Sequence, residues 1–360
     1  MKCEGKKPVA EFNFDLLKRI CELPGIPGRE DAVRELVVAE MTGLVDEVSV
    51  DALGNVVGVR KGQGGPRVMV AAHMDEIGFI VKHIDDRGFI RIHTVGGFDP
   101  RVLPAQRVFV HGFAGETLVG ALGIAAKPIH LLDPSDIKPP KIDELFVDVG
   151  LPVDDVKAKV EIGDMVTLEG PVQRIGNNVF GKSFDDKICV FQMIEALRAL
   201  QGPTNAEIIA VATTQEEVGL RGAQTSAYHV EPDIAVALDI TLAMDIPGAA
   251  EQDMITRLGG GCAIKIMDSS TISNYKLVQH MREIAKDAGI AHQMEILPRG
   301  GTDAGAMQRS RGGVPAVTLS IPTRYVHTVN EMCSVSDIEA SISLLARYLE
   351  RAHEGNYSFS

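Results

Sequence analysis

Apolar residues fall into period along most of the chain. Phe14, Leu16, Leu17, Ile20 and Cys21 recur at helical spacing and predict a helix over residues 12–23, stopped by the breaker Pro24-Gly25-Ile26-Pro27-Gly28. Ala32, Val33, Leu36 and Val37 predict a second amphipathic helix over 29–41. Residues 48–50 and 55–59 read as a short hairpin. The run Arg67-Val68-Met69-Val70-Ala71-Ala72 that follows is apolar on both faces, as a strand inside a helix-covered sheet must be. It ends at His73-Met74-Asp75-Glu76.

The texture changes from residue 78 to about 169. Segments 79–84, 89–93, 107–110 and 117–122 are rich in β-formers, are separated by Gly or Pro, and include no long helix. Residues 127–140, with several prolines, read as an extended loop. Beyond Gly170 helix and strand patterns alternate again. Helices are expected over 185–200, near Gly222, and over 273–288, 302–308 and 336–353; strands are expected over 207–212, 234–238, 262–266, 292–296 and 314–320. The organisation expected is a catalytic α/β unit in two parts, 1–77 and 170–360, with a small all-β unit of residues 78–169 inserted between them.

Composition narrows the function classes. The chain of 360 residues can bury a sizeable core, and 45% apolar with 24% charged residues is ordinary for a globular enzyme. A net charge of -13 excludes nucleic acid as the main partner, because phosphate binding needs clustered Lys and Arg. No window approaches the roughly 20 continuous apolar residues of a membrane span. The start Met1-Lys2-Cys3-Glu4-Gly5-Lys6-Lys7 leads into no apolar secretion segment, and the five cysteines form no CxxC pair. A cytoplasmic protein with reduced thiols is expected.

The chemistry collects at strand ends. Thr214-Gln215-Glu216-Glu217-Val218-Gly219-Leu220 places two adjacent carboxylates after an apolar strand, pointing in different directions, so that one can hold a metal while the other moves protons. A Glu-Glu pair alone is more often a solvated helix start near the positive end of the dipole. Its company changes the reading: His73 and Asp239 each follow a buried strand closely, and His327 lies a few residues beyond Leu319-Ser320-Ile321. In open parallel sheets that carboxyl edge is where ligands bind. Asp185, in Lys182-Ser183-Phe184-Asp185-Asp186-Lys187, sits where a helix should begin; one Asp of the pair reads as its N-cap, and the other is placed to project into the same crevice. Two histidines and at least three carboxylates form a donor set suited to two divalent ions, zinc, cobalt or manganese. Asp75, two residues after His73 on an extended chain, is placed to take the other imidazole proton or simply to make a turn. Thr302-Asp303, after Gly300-Gly301, reads either as a capped helix start or as site lining. Gly259-Gly260-Gly261 and Gly62 to Gly65 match no phosphate-binding fingerprint, and no G-x-S-x-G elbow exists.

Six ordered motifs, Ala72-His73-Met74-Asp75-Glu76-Ile77-Gly78-Phe79, Phe184-Asp185-Asp186-Lys187, the Glu216-Glu217 heptapeptide, Ala237-Leu238-Asp239, Gly300-Gly301-Thr302-Asp303-Ala304 and Ile321-Pro322-Thr323-Arg324-Tyr325-Val326-His327-Thr328, together resemble the M42 family of metallo-aminopeptidases. That family holds the tetrahedral, glutamyl and deblocking aminopeptidases. The resemblance implies an α/β fold, a helix-covered mixed sheet of the zinc-exopeptidase type, with an inserted PDZ-like or barrel-like β domain that makes dimer contacts, and dimers that assemble into dodecamers. It implies that His73, Asp185 and Asp239 hold one metal and Asp185, Glu217 and His327 the other, with Asp185 bridging, Glu216 as general base and Asp75 behind the first histidine. Ser183-Phe184 and Cys189 depart from the residues frequent in relatives, without touching an implied ligand.

The implied reaction is removal of N-terminal residues from peptides by activated water, with peptides bearing a free N-terminus as substrates. A deacylase or carboxypeptidase of similar design is the nearest rival. It needs a cation for a substrate carboxylate, for which Arg324 is a candidate. A glycosidase needs two flanking carboxylates and no histidine-bearing metal set. A non-catalytic assembly scaffold would require a decayed site, whereas every implied ligand is present.

Overall fold

A computed structural model describes residues 12–359 except 134, 136 and 137. The N-terminal segment 1–7 with Cys3, and part of the expected loop 127–140, therefore lie outside the described residues.

The chain opens with α1 (Phe14–Glu22) and α2 (Asp31–Met41), then β1 (Glu47–Val50), β2 (Val56–Arg60) and β3 (Arg67–His73). Next come β4 (Gly78–Ile84), β5 (Ile90–Val95), β6 (Arg107–His111), β7 (Thr117–Ile124), β8 (Leu145–Asp148), α3 (Val153–Lys159) and β9 (Met165–Leu168). The chain then forms β10 (Gln173–Ile175), β11 (Asn178–Gly181), α4 (Phe184–Ala199), β12 (Glu207–Thr213), α5 (Arg221–Val230) and β13 (Ile234–Leu242). It finishes with β14 (Cys262–Met267), α6 (Tyr275–Ala288), β15 (His292–Ile296), α7 (Asp303–Gln308), β16 (Ala316–Arg324), β17 (Glu331–Ser334) and α8 (Val335–Arg351).

Two sheets result. One has 11 strands, with the path β1-β2-β12-β3-β13-β16-β17-β11-β10 and with β14 and β15 branching off β16. Its centre, β12-β3-β13-β16, is parallel, and antiparallel strands flank it. The other sheet closes into a barrel in the order β4-β5-β8-β7-β6-β9, around a core of its own that includes Phe79, Val108, Val147 and Val166.

The central strands are buried on both faces, which is why they read as continuous apolar runs. Val68, Val70 and Ala72 of β3 face the larger core under α1, α2, α4, α6 and α8, while Met69 and Ala71 face a smaller one under α5 and α7. The second face is rich in alanine, so α5 and α7 lie close to the sheet. Gly222 opens α5 without a side chain because a Cβ there would stand 2.3 Å from Asn55 Oδ1 and 2.5 Å from the Thr214 carbonyl. Helix α4 shows no one-sided apolar stripe and is buried on nearly every side, with Ile188, Val190, Phe191 and Ile194 fully enclosed and Asp186, Lys187 and Gln192 buried among them.

Elements of the larger sheet differ from the sequence-based expectation. Strand β13 continues to Leu242 and so runs past Asp239, because β16 pairs with it through Thr323. Strands β10, β11 and β17 were not expected. They are three or four residues long, too short to show a period.

Candidate metal centre

Register brings the strand ends to one level. Thr213 pairs with His73, and Ala71 pairs with Ala237, so two residues further on His73 and Asp239 stand side by side on β3 and β13. Glu216 and Glu217 occupy the loop leaving β12, His327 the loop leaving β16, and Asp185 the turn into α4, where helical backbone begins only after Asp186. Asp185 is the hub. Its Oδ1 is 3.2 Å from His73 Nε2 and its Oδ2 is 3.2 Å from His327 Nε2. Glu217 Oε1 is 3.4 Å from His327 Nε2, and Glu216 Oε2 is 3.9 Å from His73 Nε2. His73, Glu216 and Asp239 present one donor atom each within 4.8 Å of one another, as do His73, Asp185 and Glu217.

Buried side chains grip the main chain that carries these groups. Along 214–217 every N–H is taken: Thr214 donates to Asn55 Oδ1 (2.9 Å), Gln215 to Glu30 Oε1 (3.2 Å), and Glu216 and Glu217 to the two oxygens of Asp75 (3.1 Å each). The Asp75 carboxylate thus holds the loop of the Glu-Glu pair. The His73 ring Nδ1 makes its shorter contact, 2.9 Å, with the Asp75 carbonyl, and the carboxylate oxygen is 3.6 Å away. The His73 N–H donates to Asp186 Oδ2 at 3.2 Å. Glu331 accepts from the N–H groups of His327 (2.8 Å) and Asp185 (3.1 Å), and the Gly97 carbonyl, on the loop after β5, accepts from His327 Nδ1 at 2.8 Å. Ser183, Gln215, Leu220, Tyr325 and His327 all have positive φ, a conformation costing about 1 kcal/mol or more at a non-glycine residue, and all flank the centre.

The charge balance is lopsided. Burial opposes charge on His73, but Glu216, Asp185 and Asp75 outweigh it and hold the ring well above the ordinary histidine range. His327 is likewise pushed up to about 12 by Asp185 and Glu217 against the effect of burial. The two imidazoles in turn lower Asp185 despite its burial. Burial raises Glu216, Glu217 and Asp239, and in the last two Asp185 adds to the rise. The two imidazoles meet Asp185, Glu216, Glu217 and Asp239 in one cavity of about 740 Å³, whose lining also includes Asp99, Lys265 and Arg299. Glu217 Oε1 is buried there without a hydrogen-bond partner among the described residues. Excess buried negative charge and an orphaned carboxylate oxygen, in a mixed imidazole and carboxylate set, fit divalent cations.

The remaining candidates separate. Thr302 lines the cavity. Asp303 is buried, accepts from Thr213 Oγ1 at 2.6 Å, and is pushed up to about 6 by burial. Arg324 lies outside the cavity lining, with its guanidinium on both oxygens of Asp245 at 2.9 and 2.5 Å. Sequence reasoning missed Glu30, Asn55, Glu331, Lys265 and Arg299. The last two line the cavity; Lys265 is enclosed beside Glu295 at 3.1 Å. Their nearest sequence signal is a polar residue beside a motif, as for Glu331, four residues after His327.

Comparison with known proteins adds a family. The profile described as M42 glutamyl aminopeptidase matches residues 54–344. The lysyl aminopeptidase of Pyrococcus furiosus is 38% identical over 345 residues, which cover 94% of this chain and 97% of that one. An aminopeptidase from the archaeon Desulfurococcus kamchatkensis superposes with a TM-score of 0.90 at 39% identity, covering 94% of both chains. The TET1 peptidase of Pyrococcus horikoshii, described as assembling into a tetrahedron or a large octahedral shell, superposes with a TM-score of 0.83 at 31% identity, covering 93% of this chain and 98% of that one.

Proposed function

Because the chain belongs to the M42 peptidase family, a family of peptide-bond hydrolases that use divalent metal ions, we propose that it is a binuclear aminopeptidase removing N-terminal residues from peptides. The observation that carries this reading is Asp185, with one oxygen 3.2 Å from each of two imidazoles. His73, Asp185 and Asp239 would hold one ion and Asp185, Glu217 and His327 the other, zinc being favoured by the donor set and cobalt or manganese also suited to it. Bound there, the ions supply Lewis acidity, which makes a water a nucleophile at neutral pH and polarises the scissile carbonyl.

The chain's own residues do the rest. Glu216, left out of both ligand sets and facing the cavity, takes the proton of the attacking water and returns it to the leaving amine. Asp75 keeps Glu216 and Glu217 in register through their main-chain N–H groups. The acidic cluster receives the positively charged substrate N-terminus, which restricts attack to the first peptide bond. Phe98, Leu220, Leu242, Leu297 and Val326 form the apolar wall for the first side chain. The cation that a carboxypeptidase reading assigned to the substrate carboxylate, Arg324, is engaged by Asp245.

The two sheets support a division into a catalytic unit of residues 1–77 and 170–360 and an inserted unit of 78–169. The inserted barrel exposes Phe113, Val119, Leu131 and Ile162, each more than half exposed, and we assign to it the dimer contacts of a homo-oligomer like the shells of the related TET1 peptidase. Two ions per reconstituted chain, and cleavage of free-amino but not N-acylated peptides, are expected. Fewer than one ion per chain would favour a scaffold, and equal cleavage of blocked peptides a deacylase.

A further inference from the structure

Glu331 has no place in the ligand sets, yet it is bound to both sides of one of them. It sits on β17 with 1% of its surface exposed. One carboxylate oxygen accepts the main-chain N–H of His327 at 2.8 Å and the other that of Asp185 at 3.1 Å. No Lys or Arg makes an ion pair with it among the described residues. A buried carboxylate without a cation is expensive to keep, and a neutral glutamine of the same shape would be cheaper to bury. Glutamine, however, has one acceptor oxygen, and its amide nitrogen would face an N–H. With one donor on each oxygen, as here, only a carboxylate accepts both.

The two amides belong to residues remote in sequence that must converge. His327 has φ +62°, a strained backbone for a non-glycine residue that persists only where the surroundings over-determine it. Glu331 fixes its main chain, and the Gly97 carbonyl fixes its ring at Nδ1, which leaves Nε2 directed at Asp185 and Glu217. Asp75 does the same for the Glu216 and Glu217 amides on the other side.

We infer that Glu331 is the positioning residue of the His327 half of the centre, tying the main chains of Asp185 and His327 together so that Asp185, Glu217 and His327 stay converged on one cation. The inference rests on the metal assignment proposed above. It predicts that loss of the carboxylate weakens the ion of the His327 half more than the other, which shares Asp185 but is also held by His73 and Asp239, anchored on their own strands.

The test uses full-length protein stripped with chelator and titrated with zinc against a competing indicator. Wild type is expected to bind two ions. Glu331→Gln should lose 10- to 100-fold in one affinity, the usual effect of removing a group that orients a metal ligand, and clearly less in the other. In cobalt-loaded protein, the visible bands of one equivalent should shift in E331Q, and Glu331→Asp should restore part of the change. Two wild-type affinities and an unaltered cobalt spectrum in E331Q overturn the inference. Should E331Q fail to fold, hydrogen exchange of stripped wild type replaces it. Slow exchange of the Asp185 and His327 amides without metal supports the inference, and free exchange until metal is added overturns it. A wild-type chain binding fewer than two ions would instead remove the metal assignment beneath it.

Discussion

Replacing Glu216 by Gln tests the proton-transfer step at the smallest structural disturbance the site allows. The side chain keeps its length, and the loop keeps its shape, because it is held through the Glu216 N–H on Asp75 and not through the carboxylate. Among the described residues the Glu216 carboxylate makes no hydrogen bond, and its nearest ionic neighbour is His73 Nε2 at 3.9 Å. What disappears is the base. A positioned general base contributes about 10²- to 10⁴-fold, which at 1.36 kcal/mol per tenfold is about 2.7 to 5.4 kcal/mol of barrier. The assay is kcat and KM on an aminoacyl reporter, run beside metal analysis of the same preparation. The expected outcome is a kcat lower by that factor, a KM within about twofold because only transition-state stabilisation is lost, and an unchanged two ions per chain. The geometry supplies a sharp alternative, since Glu216 also belongs to one of the two compact donor groups, with His73 and Asp239. If Glu216 were a ligand, E216Q would lose an ion together with its activity. Loss of an ion, or full turnover, refutes the assignment of the base.

Two further outcomes follow from the charges. Burial pushes Asp303 up to about 6, against an ordinary value of 3.8. Between those limits the folded, metal-stripped chain keeps a proton that the unfolded chain has released, so its stability falls as pH rises, and its Tm should drop from pH 4 to 6; a flat profile would contradict the sign. Arg299 is exposed, lines the cavity and has no ion-pair partner among the described residues, so reporters with an acidic first residue should be cleaved better than lysyl ones. Arg299→Glu should shift that ratio by roughly fivefold, the equivalent of about 1 kcal/mol for an exposed pair, and an unchanged ranking across the reporter panel removes Arg299 from that role.

The sequence by itself determined the α/β class and the strand ends where the chemistry collects. An apolar run buried on both faces, such as 67–72, leaves a mark in composition, and a His or Asp at its end stands out against it. It also carried the ordered motifs, whose family is the one matched over 54–344. Tertiary structure alone decided the rest. It tied Arg324 to Asp245, where periodicity could show a cation but not its partner. It extended β13 past Asp239 because β16 runs alongside, a contact that no local pattern contains. It also chose Asp75 and Glu331 as the carboxylates that grip four main-chain N–H groups of the centre. Main-chain amides are the same at every residue, so a bond from a carboxylate to an amide far along the chain leaves no trace in the identity of the residue that donates it, and only folding reveals it.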